Sequence, residues 1–402
     1  MMKLIFNISL LLYTVCSFGQ TLESPFGPSP NPPAKPVYFS IEGVGLAQSN
    51  ELNLDFVHKI LFGGQLNNTV NQNIWSNLST SNQLMGQQSF GVQVRSALDS
   101  TSRMGGTFFC IQWQQVKWNH LQFSKDAFGL AMLGNAPLLG KNLHLSGSSF
   151  LQFTYQKMGL GIQDRKKGYS IYLNGIAGGE YYGLNIQEGQ VFSDPSGEFI
   201  DAQYQMSQLK SAQRNSGLGL GLDFYWSKRQ RDVKWDVGVN DLGWIHFKGL
   251  EQKVWKGDEH FTGLSWSQAI LDGGQDDDIL TNWSDPLIST NNKTIHLPTM
   301  LKASLQVKSF GYRFITYCFE RQLGWQSIYF AKENIPVKWG ELNYEMAINK
   351  TLQNRYALSG QVGMNNRENR WGFSLLVSEL PGFLMANSRQ LMLQLKFEKR
   401  IF

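Results

Sequence analysis

The stretch at residues 389–402, RQLMLQLKFEKRIF, decides the fold. Apolar and polar residues alternate along it. The apolar positions are Leu391, Leu393, Leu395 and Phe397, and the polar positions are Gln394, Lys396 and Glu398. Successive side chains of a β-strand point to opposite faces, so the stretch predicts a strand with one apolar face. The strand runs almost to the final residue, the aromatic Phe402.

The opposite end of the chain predicts export. A positive start at Lys3 precedes an apolar run over residues 4–15, which is too short to span a bilayer, and small residues follow at 17 and 19. The next segment is rich in proline and cannot pair into a sheet. The expected organisation is a signal peptide at 1–19, a Pro-rich leader at 20–36 and a single β-domain at 37–402.

Composition excludes several classes of protein. Beyond the signal peptide, no run approaches the ~18 apolar residues of a membrane-spanning helix. The net charge of +5 is scattered without a basic stripe, which argues against nucleic acid as a partner. The mature chain would hold only Cys110 and Cys318, too few for a disulfide scaffold. Aromatic residues reach 13% while charged residues reach only 17%, which is unusual for a water-exposed surface.

Alternation with a period of two recurs along most of the chain. The clearest segments are GLGLGLDFYWSK (217–228), RDVKWDVGVND (231–241), GELNYEMAIN (340–349) and NRYALSGQVGM (354–364). The number of such segments predicts a closed antiparallel sheet of about 14 strands, in a range of roughly 12 to 16. Two short helices are expected, one around Val70, Ile74 and Leu78 and one from Ser124 to Leu133. Residues 257–293 are expected to form a long loop.

A soluble β-sandwich would also alternate, since one face of its sheets is buried. Three features favour a membrane barrel. So many strands without a domain break would make an unusually large sandwich. A barrel must also pair its last strand with its first, which suits a terminal strand. Large aromatic residues recur near strand ends on the apolar face, where interfacial girdles lie. They are Trp226, Trp235, Trp244, Trp371 and Tyr344.

The export signal, the ten-residue alternation and the terminal Phe402 resemble bacterial outer-membrane β-barrels. In those proteins the barrel-assembly machinery reads the last aromatic strand. The matching residues here are Leu393, Leu395, Phe397 and Phe402. Phe402 is out of phase with the other three. Either a bulge at Glu398–Lys399 restores the phase, or Ile401 faces the lipid instead.

A second resemblance runs through the middle of the chain, at GNAPLLGKNLHL (134–145), YSIYLNGIAG (169–178) and the region 217–247. These segments look like a family of Bacteroidota outer-membrane proteins of unassigned function. That family is similar in outline to FadL-type transporters and to barrel accessories of the type IX secretion system. The resemblance implies a Gram-negative outer membrane, contact with its lipid and with the barrel-assembly machinery, and a secretion complex as a further partner. It carries over no catalytic residue.

Motifs that would indicate an enzyme or a cofactor are incomplete. GNAPLLGK is one residue too long for a phosphate loop, and GLGLGLD has Leu222 where a dinucleotide motif needs its third glycine. The inward glycines of GLGLGLD are better explained as relief of crowding inside the barrel. The six histidines have no metal-ligand spacing, and the acidic run at 271–280 lacks a calcium-loop pattern. We therefore expect no catalytic residue, cofactor or metal.

The polar faces of the strands predict a lumen of mixed charge. Its candidate residues are Asp223, Asp232, Lys234, Asp236, Lys302, Glu320, Glu341 and Glu345. A mixed lining gives no strong ion preference. The leading hypothesis is a gated or plugged barrel that passes a small or hydrophobic solute, with the leader and the helix at 124–133 as candidate hatches. The alternative is a non-transporting accessory barrel that acts through its loops, and an outer-membrane enzyme is a minor alternative.

Overall fold

Strand pairing organises the part of the chain that the structure describes. The computed structural model describes residues 37–52, 56, 68–98, 106–164, 167–211, 216–230, 233–262, 286–307, 312–319, 324–337, 340–351, 356–366, 371–377 and 390–400. The signal peptide, the leader and Phe402, on which several of the sequence predictions fall, lie outside these ranges.

The described ranges contain seventeen strands and two α-helices. The first strands are β1 (Val37–Ser49), β2 (Ser81–Ala97), β3 (Thr107–Ser124), β4 (Asn142–His144), β5 (Ser149–Asp164), β6 (Tyr169–Ser193), β7 (Phe199–Ser211), β8 (Gly217–Gln230) and β9 (Val233–Thr262). The remainder are β10 (Leu287–His296), β11 (Met300–Val307), β12 (Tyr312–Phe319), β13 (Gly324–Val337), β14 (Gly340–Thr351), β15 (Tyr356–Asn366), β16 (Trp371–Val377) and β17 (Gln390–Arg400).

Antiparallel pairing closes these strands into a ring. Each ring strand pairs with the next one along the chain, apart from β4, β7 and β10, which the ring passes over. β17 then pairs with β1 over eleven residues, from Tyr38 opposite Arg400 to Gln48 opposite Gln390. Fourteen of the seventeen described strands therefore form a closed all-β barrel, in which the sheet has no free edge.

Two of the ring strands are much longer than the others and continue past the barrel. β6 has 25 residues and β9 has 30. Their second halves pair with β7, while β4 pairs with the end of β6 and β10 pairs with β9. We call this part the extension sheet. The extension sheet includes residues 257–262 of β9 and 287–293 of β10, so the prediction of a loop over all of 257–293 is wrong at both of its ends.

Both predicted helices are confirmed: α1 (Asn68–Asn77) and α2 (Lys125–Leu133). The hydroxyl oxygen of Ser124 accepts a hydrogen bond from the backbone N–H of Ala127 at 3.0 Å and so caps the start of α2. Gly134, with φ of 75°, ends it. Within the described ranges, neither helix is long and apolar enough to cross a membrane.

The remaining differences from the predicted segments concern where strands join. The predicted segment at 231–241 is only the start of β9, which continues without a break to Thr262, and β6 is likewise continuous over 25 residues. Residues 287–307 are instead divided at residues 297–299 into β10 and β11. Leu297 there is 1% exposed, so this break folds into the protein interior.

Candidate functional site in the barrel interior

The outer face of the barrel carries an apolar belt. Residues directly opposite each other in an antiparallel pair share a face, and the row Met158, Gly175, Leu220 and Trp244 runs across four strands. Large apolar side chains in this belt are exposed, including Met158 at 65% and Leu218 at 72%. An exposed apolar surface that crosses four adjacent strands needs a non-aqueous environment.

Two tryptophans mark the height of the belt on one strand. Trp235 and Trp244 of β9 are both exposed on the outer face. Their partners on β8 are Leu220 and Lys228, eight residues apart. Eight residues at about 3.3 Å each span roughly 26 Å along a strand, and a tilt of about 40° reduces this to roughly 20 Å. That height is close to the ~25 Å band of outer-membrane barrels. It supports the predicted girdle at these two positions, while Trp226 and Trp371 are half-buried.

The inner face is made compact by glycines opposite large side chains. A Cβ atom on Gly159 would lie 2.8 Å from Cγ of Gln112, and one on Gly161 would lie 2.7 Å from Cε1 of Tyr172. A Cβ on Gly217 would lie 2.9 Å from the ring of Phe247. The prediction that the inward glycines of GLGLGLD relieve crowding is therefore confirmed at Gly217. The crowding comes from side chains of neighbouring wall strands.

A buried charged cluster spans the inner face at the level of the belt. The Nζ atom of Lys157 on β5 lies 2.6 Å from Oδ1 of Asp241 on β9 and 3.1 Å from Oδ2 of Asp223 on β8. All three side chains are about 5% exposed or less. Gln112 and Asn174 each donate a hydrogen bond to Oδ2 of Asp223 at 2.9 Å. We call Lys157, Asp223 and Asp241 the interior triad.

A β-bulge brings Asp241 into this triad. The pairing of β8 with β9 shifts between Leu222 and Phe224, so that Asn240 and Asp241 both lie opposite Asp223. Asp241 has φ of 55°, and its backbone N–H donates to Oδ1 of Asp223 at 2.8 Å. Sequence reasoning missed Asp241, because strict alternation places it on the lipid face with Val239. The sequence does contain a sign of this bulge, because the apolar residues at 239, 242 and 244 depart from the period of two.

A second buried ion pair ties the ends of the barrel together. Nη2 of Arg95 on β2 lies 2.6 Å from Oε2 of Glu398 on β17. Glu398 is 4% exposed, and Lys396 is also buried. The exposed Phe397 lies on the outer face. Pairing continues without a register shift through Arg400, so the bulge predicted at Glu398–Lys399 is absent from the described part of this strand.

Apolar residues fill the interior beyond the triad, on the side of the extension sheet. Tyr155, directly next to the triad, is 1% exposed. The largest apolar cluster among the described side chains lies there, and its members include Val116, Trp118, Phe153, Ile176, Tyr181, Ile245, Phe247, Leu250 and Leu297. Along β3 to β9, where the structure describes most side chains, the interior therefore consists of a charged layer and an apolar layer, both closed to solvent.

The structure describes the side chains of only two of the eight predicted lumen residues. Asp223 and Asp236 are buried on the inner face, at 4% and 7% exposure. Asp232 and Glu320 lie outside the described residues. The backbones of the remaining four are described, but their side chains are not. Lys234, Lys302, Glu341 and Glu345 lie opposite Gln306, Gly238, Asn365 and Gln361, respectively. Only Asp223 among the predicted residues belongs to the interior triad.

Helix α2, which was predicted to be an internal hatch, packs against the outer face of the barrel. Phe128 of α2 packs with Phe123, next to the partly buried Leu121. Both belong to the same outward row of β3 as Trp113, because the pairing of β2 with β3 has no register shift. The prediction that α2 is an internal hatch is therefore wrong: α2 covers the outer wall beyond the belt.

The two cysteines lie on different strands, Cys110 on β3 and Cys318 on β12. The thiol of Cys110 is fully buried on the inner face and donates to the backbone carbonyl of Phe108. The backbone of Cys318 lies opposite Leu301, whose side chain is 52% exposed. Cys318 therefore occupies a position in an outward row. In the described portion of the chain, no cluster of three or more His, Cys, Asp or Glu side chains could hold a metal.

No protein-family model matches the chain, and no curated protein matches it. Solved structures do. The translocator domain of the autotransporter NalP from Neisseria meningitidis is 9% identical, with a TM-score of 0.25 over 92% of this chain and 90% of that one. The TodX ΔS2S3 mutant, a monoaromatic hydrocarbon channel, is 7% identical with a TM-score of 0.39 over 96% of each chain. OprB from Pseudomonas putida is 7% identical with a TM-score of 0.24 over 91% and 92%. The strand pairing itself, independently of this similarity, establishes the barrel.

Proposed function

We propose that this protein is an outer-membrane β-barrel of a Gram-negative bacterium that passes a small or hydrophobic solute through an interior closed at rest. One observation carries the proposal. A closed ring of strands exposes an apolar belt outside and buries the interior triad inside, at the same level. Charged residues that are buried at membrane depth usually line a pathway for a solute or an ion and rarely contact lipid. This function requires no catalytic residue.

The two interior layers would act in series. The apolar layer, with Trp118, Phe153 and Phe247, provides a surface on which a hydrophobic solute could displace side chains without stranding polar groups. The interior triad then holds β5 to β8 and β9. Passage requires that these contacts separate, so the barrel is a gated pathway rather than an open pore.

Reconstitution tests this function. The purified protein is first run on SDS gels with and without boiling, since a closed barrel resists detergent until it is heated. Uptake of a small aromatic hydrocarbon and of a sugar of similar size is then measured in liposomes. We expect faster uptake of the hydrocarbon than in protein-free liposomes and little uptake of the sugar. A heat-modifiable barrel that passes neither solute would contradict the transport proposal while leaving the barrel intact.

The extension sheet favours a second candidate function, that of an accessory barrel that binds a secretion or gliding complex. Leu287 and Ile288 of β10 are 77% and 66% exposed, although they lie beyond the belt. Exposed apolar residues outside the membrane are typical of a protein interface. Affinity purification from native membranes would recover a specific large partner with the wild type. The double variant Leu287→Asp and Ile288→Asp should lose that partner and remain heat-modifiable.

A further inference from the structure

The interior triad carries an unbalanced formal charge. One ammonium group, on Lys157, faces two carboxylates, on Asp223 and Asp241. All three are buried, and an uncompensated charge is costly where water is excluded. Three ionised groups would leave a net charge of −1. Uptake of one proton by a carboxylate would remove the imbalance.

The hydrogen bonds distinguish the two carboxylates. Asp223 receives donors at both oxygens: Gln112, Asn174 and Lys157 at Oδ2, and the backbone N–H of Asp241 at Oδ1. This environment favours its ionised form. Asp241 receives Lys157 at Oδ1, and the buried hydroxyl of Tyr155 lies nearby. Asp241 is therefore the carboxylate with fewer donors to stabilise its charge.

The groups that face Asp241 come from three elements. β5 contributes the ammonium of Lys157 and the phenol of Tyr155, and β8 contributes Asp223. The connection between β10 and β11 contributes the hydroxyl of Thr299, which donates to the backbone carbonyl of Asp241 at 3.0 Å. Lys157 is the cation among these groups, and Asp223 already shares it. Two carboxylates that share one cation disfavour simultaneous ionisation.

We propose that Asp241 is a proton-binding site in the barrel interior and that its protonation separates β9 from Lys157, which opens the closed layer. The proton comes from solvent and forms an O–H bond on Asp241. Lys157 keeps its own proton and its contact with Asp223. The bulge of β9 then loses its ionic attachment to β5. The opening step rests on the proposed transport function, whereas the proton site does not.

Infrared spectroscopy of the purified barrel tests the proton site directly. The C=O stretch of a protonated carboxyl group is compared at pH 6 and pH 9 for the wild type, Asp241→Asn and Asp223→Asn. We expect a band at pH 6, where an ordinary aspartate, titrating near about pH 3.9, is ionised. Asp241→Asn should remove this band. If Asp241→Asn fails to give a heat-modifiable barrel, Asp241→Glu replaces it and should shift the band in frequency.

The outcomes separate the two proposals. Asp223→Asn leaves one carboxylate for one ammonium, so this variant should also lose the band. A missing band in the wild type, a band that remains in Asp241→Asn, or a band whose frequency shifts in Asp223→Glu and not in Asp241→Glu would overturn the proton site. Neutralisation by a bound sodium ion would give no band and a sodium-dependent melting temperature, and so would overturn it too. Liposome uptake should rise several-fold from pH 8 to pH 6 in the wild type and become independent of pH in Asp241→Asn. A band without uptake at any pH would support the proton site and contradict the transport function.

Discussion

Arg95 and Glu398 form a buried ion pair across a strand that lies between them. Arg95 belongs to β2 and Glu398 to β17, and both strands flank β1, where Ser40 lies opposite Glu398 and is 4% exposed. The two residues are 303 positions apart in sequence. The pair therefore joins the beginning of the barrel to its end at the point where the ring closes. Closing the ring removes both sheet edges.

Removing one partner of this pair should destabilise the closed ring. Arg95→Ala removes the guanidinium that lies 2.6 Å from the buried carboxylate of Glu398, and loss of one partner of a buried pair costs about 3–5 kcal/mol. Urea unfolding in lipid vesicles, followed by the gel shift, would measure the loss. Replacement of both residues, in Arg95→Met with Glu398→Met, should recover most of the stability, because no charge is then left unpaired.

The exposed pair between Lys253 and Glu251 on β9 provides the matched control. Its N–O distance is 3.2 Å, and its side chains are 34% and 46% exposed. Surface pairs contribute about 0–1 kcal/mol, so Lys253→Ala should change the unfolding midpoint little. A loss in Arg95→Ala no larger than that in Lys253→Ala would contradict the role of Arg95 in closing the ring.

Adding a methyl group inside and outside the same wall should have different effects. Gly159→Ala would place a Cβ 2.8 Å from Cγ of Gln112, whereas a Cβ on Gly175 of the facing strand would come no closer than 4.0 Å to another atom. Overpacking typically costs about 1–3 kcal/mol. We expect a lower unfolding midpoint for Gly159→Ala and an unchanged one for Gly175→Ala. Equal unfolding midpoints for the two variants would show that the inner face can accommodate the added methyl group, and would contradict its tight packing.

The sequence predicted the parts of this fold that depend on local pattern. Alternation assigned Leu395 and Phe397 to the outer face and Lys396 and Glu398 to the inner face, because the period of two applies wherever pairing has no shift. The start of α2 was also predicted, because the start of a helix depends on contacts within one turn, such as the hydrogen bond at Ser124. Local chemistry was sufficient for these features.

Features that depend on pairing between distant strands could not be predicted. The bulge that turns Asp241 inward is defined by its partner strand β8, and Arg95 meets Glu398 only when the ring closes. The direction of α2 also depends on tertiary contacts, because its apolar Phe128 could have packed equally well on an inner row. Alternation along one strand indicates which of its residues share a face. It does not indicate which residues of other strands lie next to them on that face.

A charge in the apolar belt should be far more costly than the same charge beyond it. Leu301, 52% exposed, lies opposite Val239, which is about halfway between Trp235 and Trp244 on β9. An arginine at the bilayer midplane costs about 2–4 kcal/mol, and the cost falls to about 0–1 kcal/mol near the interface. Leu301→Arg should therefore reduce folding efficiency into vesicles. Ile288→Arg in the extension sheet should fold as the wild type does. Equal folding of both variants would contradict the position of the belt.

The helical cover on the outer wall should unfold separately from the barrel. Phe128 lies with ring centroids 5.5 Å from Phe56 and 6.0 Å from Phe123, and Trp75 of α1 lies between the ammonium groups of Lys125 and Lys141 at 5.6 and 5.4 Å. Phe128→Ala would cost about 3–5 kcal/mol of packing. This apolar cluster shares no residue with the one inside the barrel. The loss should therefore be local.

Limited proteolysis of the folded protein measures this local loss. In Phe128→Ala, cleavage within residues 68–80 and 125–141 should accelerate, while the unboiled protein keeps its faster migration on SDS gels. Ala131→Ser, an exposed change in the same helix, should leave both unchanged. If Phe128→Ala abolished the fast-migrating form as well, the helices would be required for the barrel itself. Their contacts with Leu121 and Phe123 would then stabilise the wall rather than only cover it.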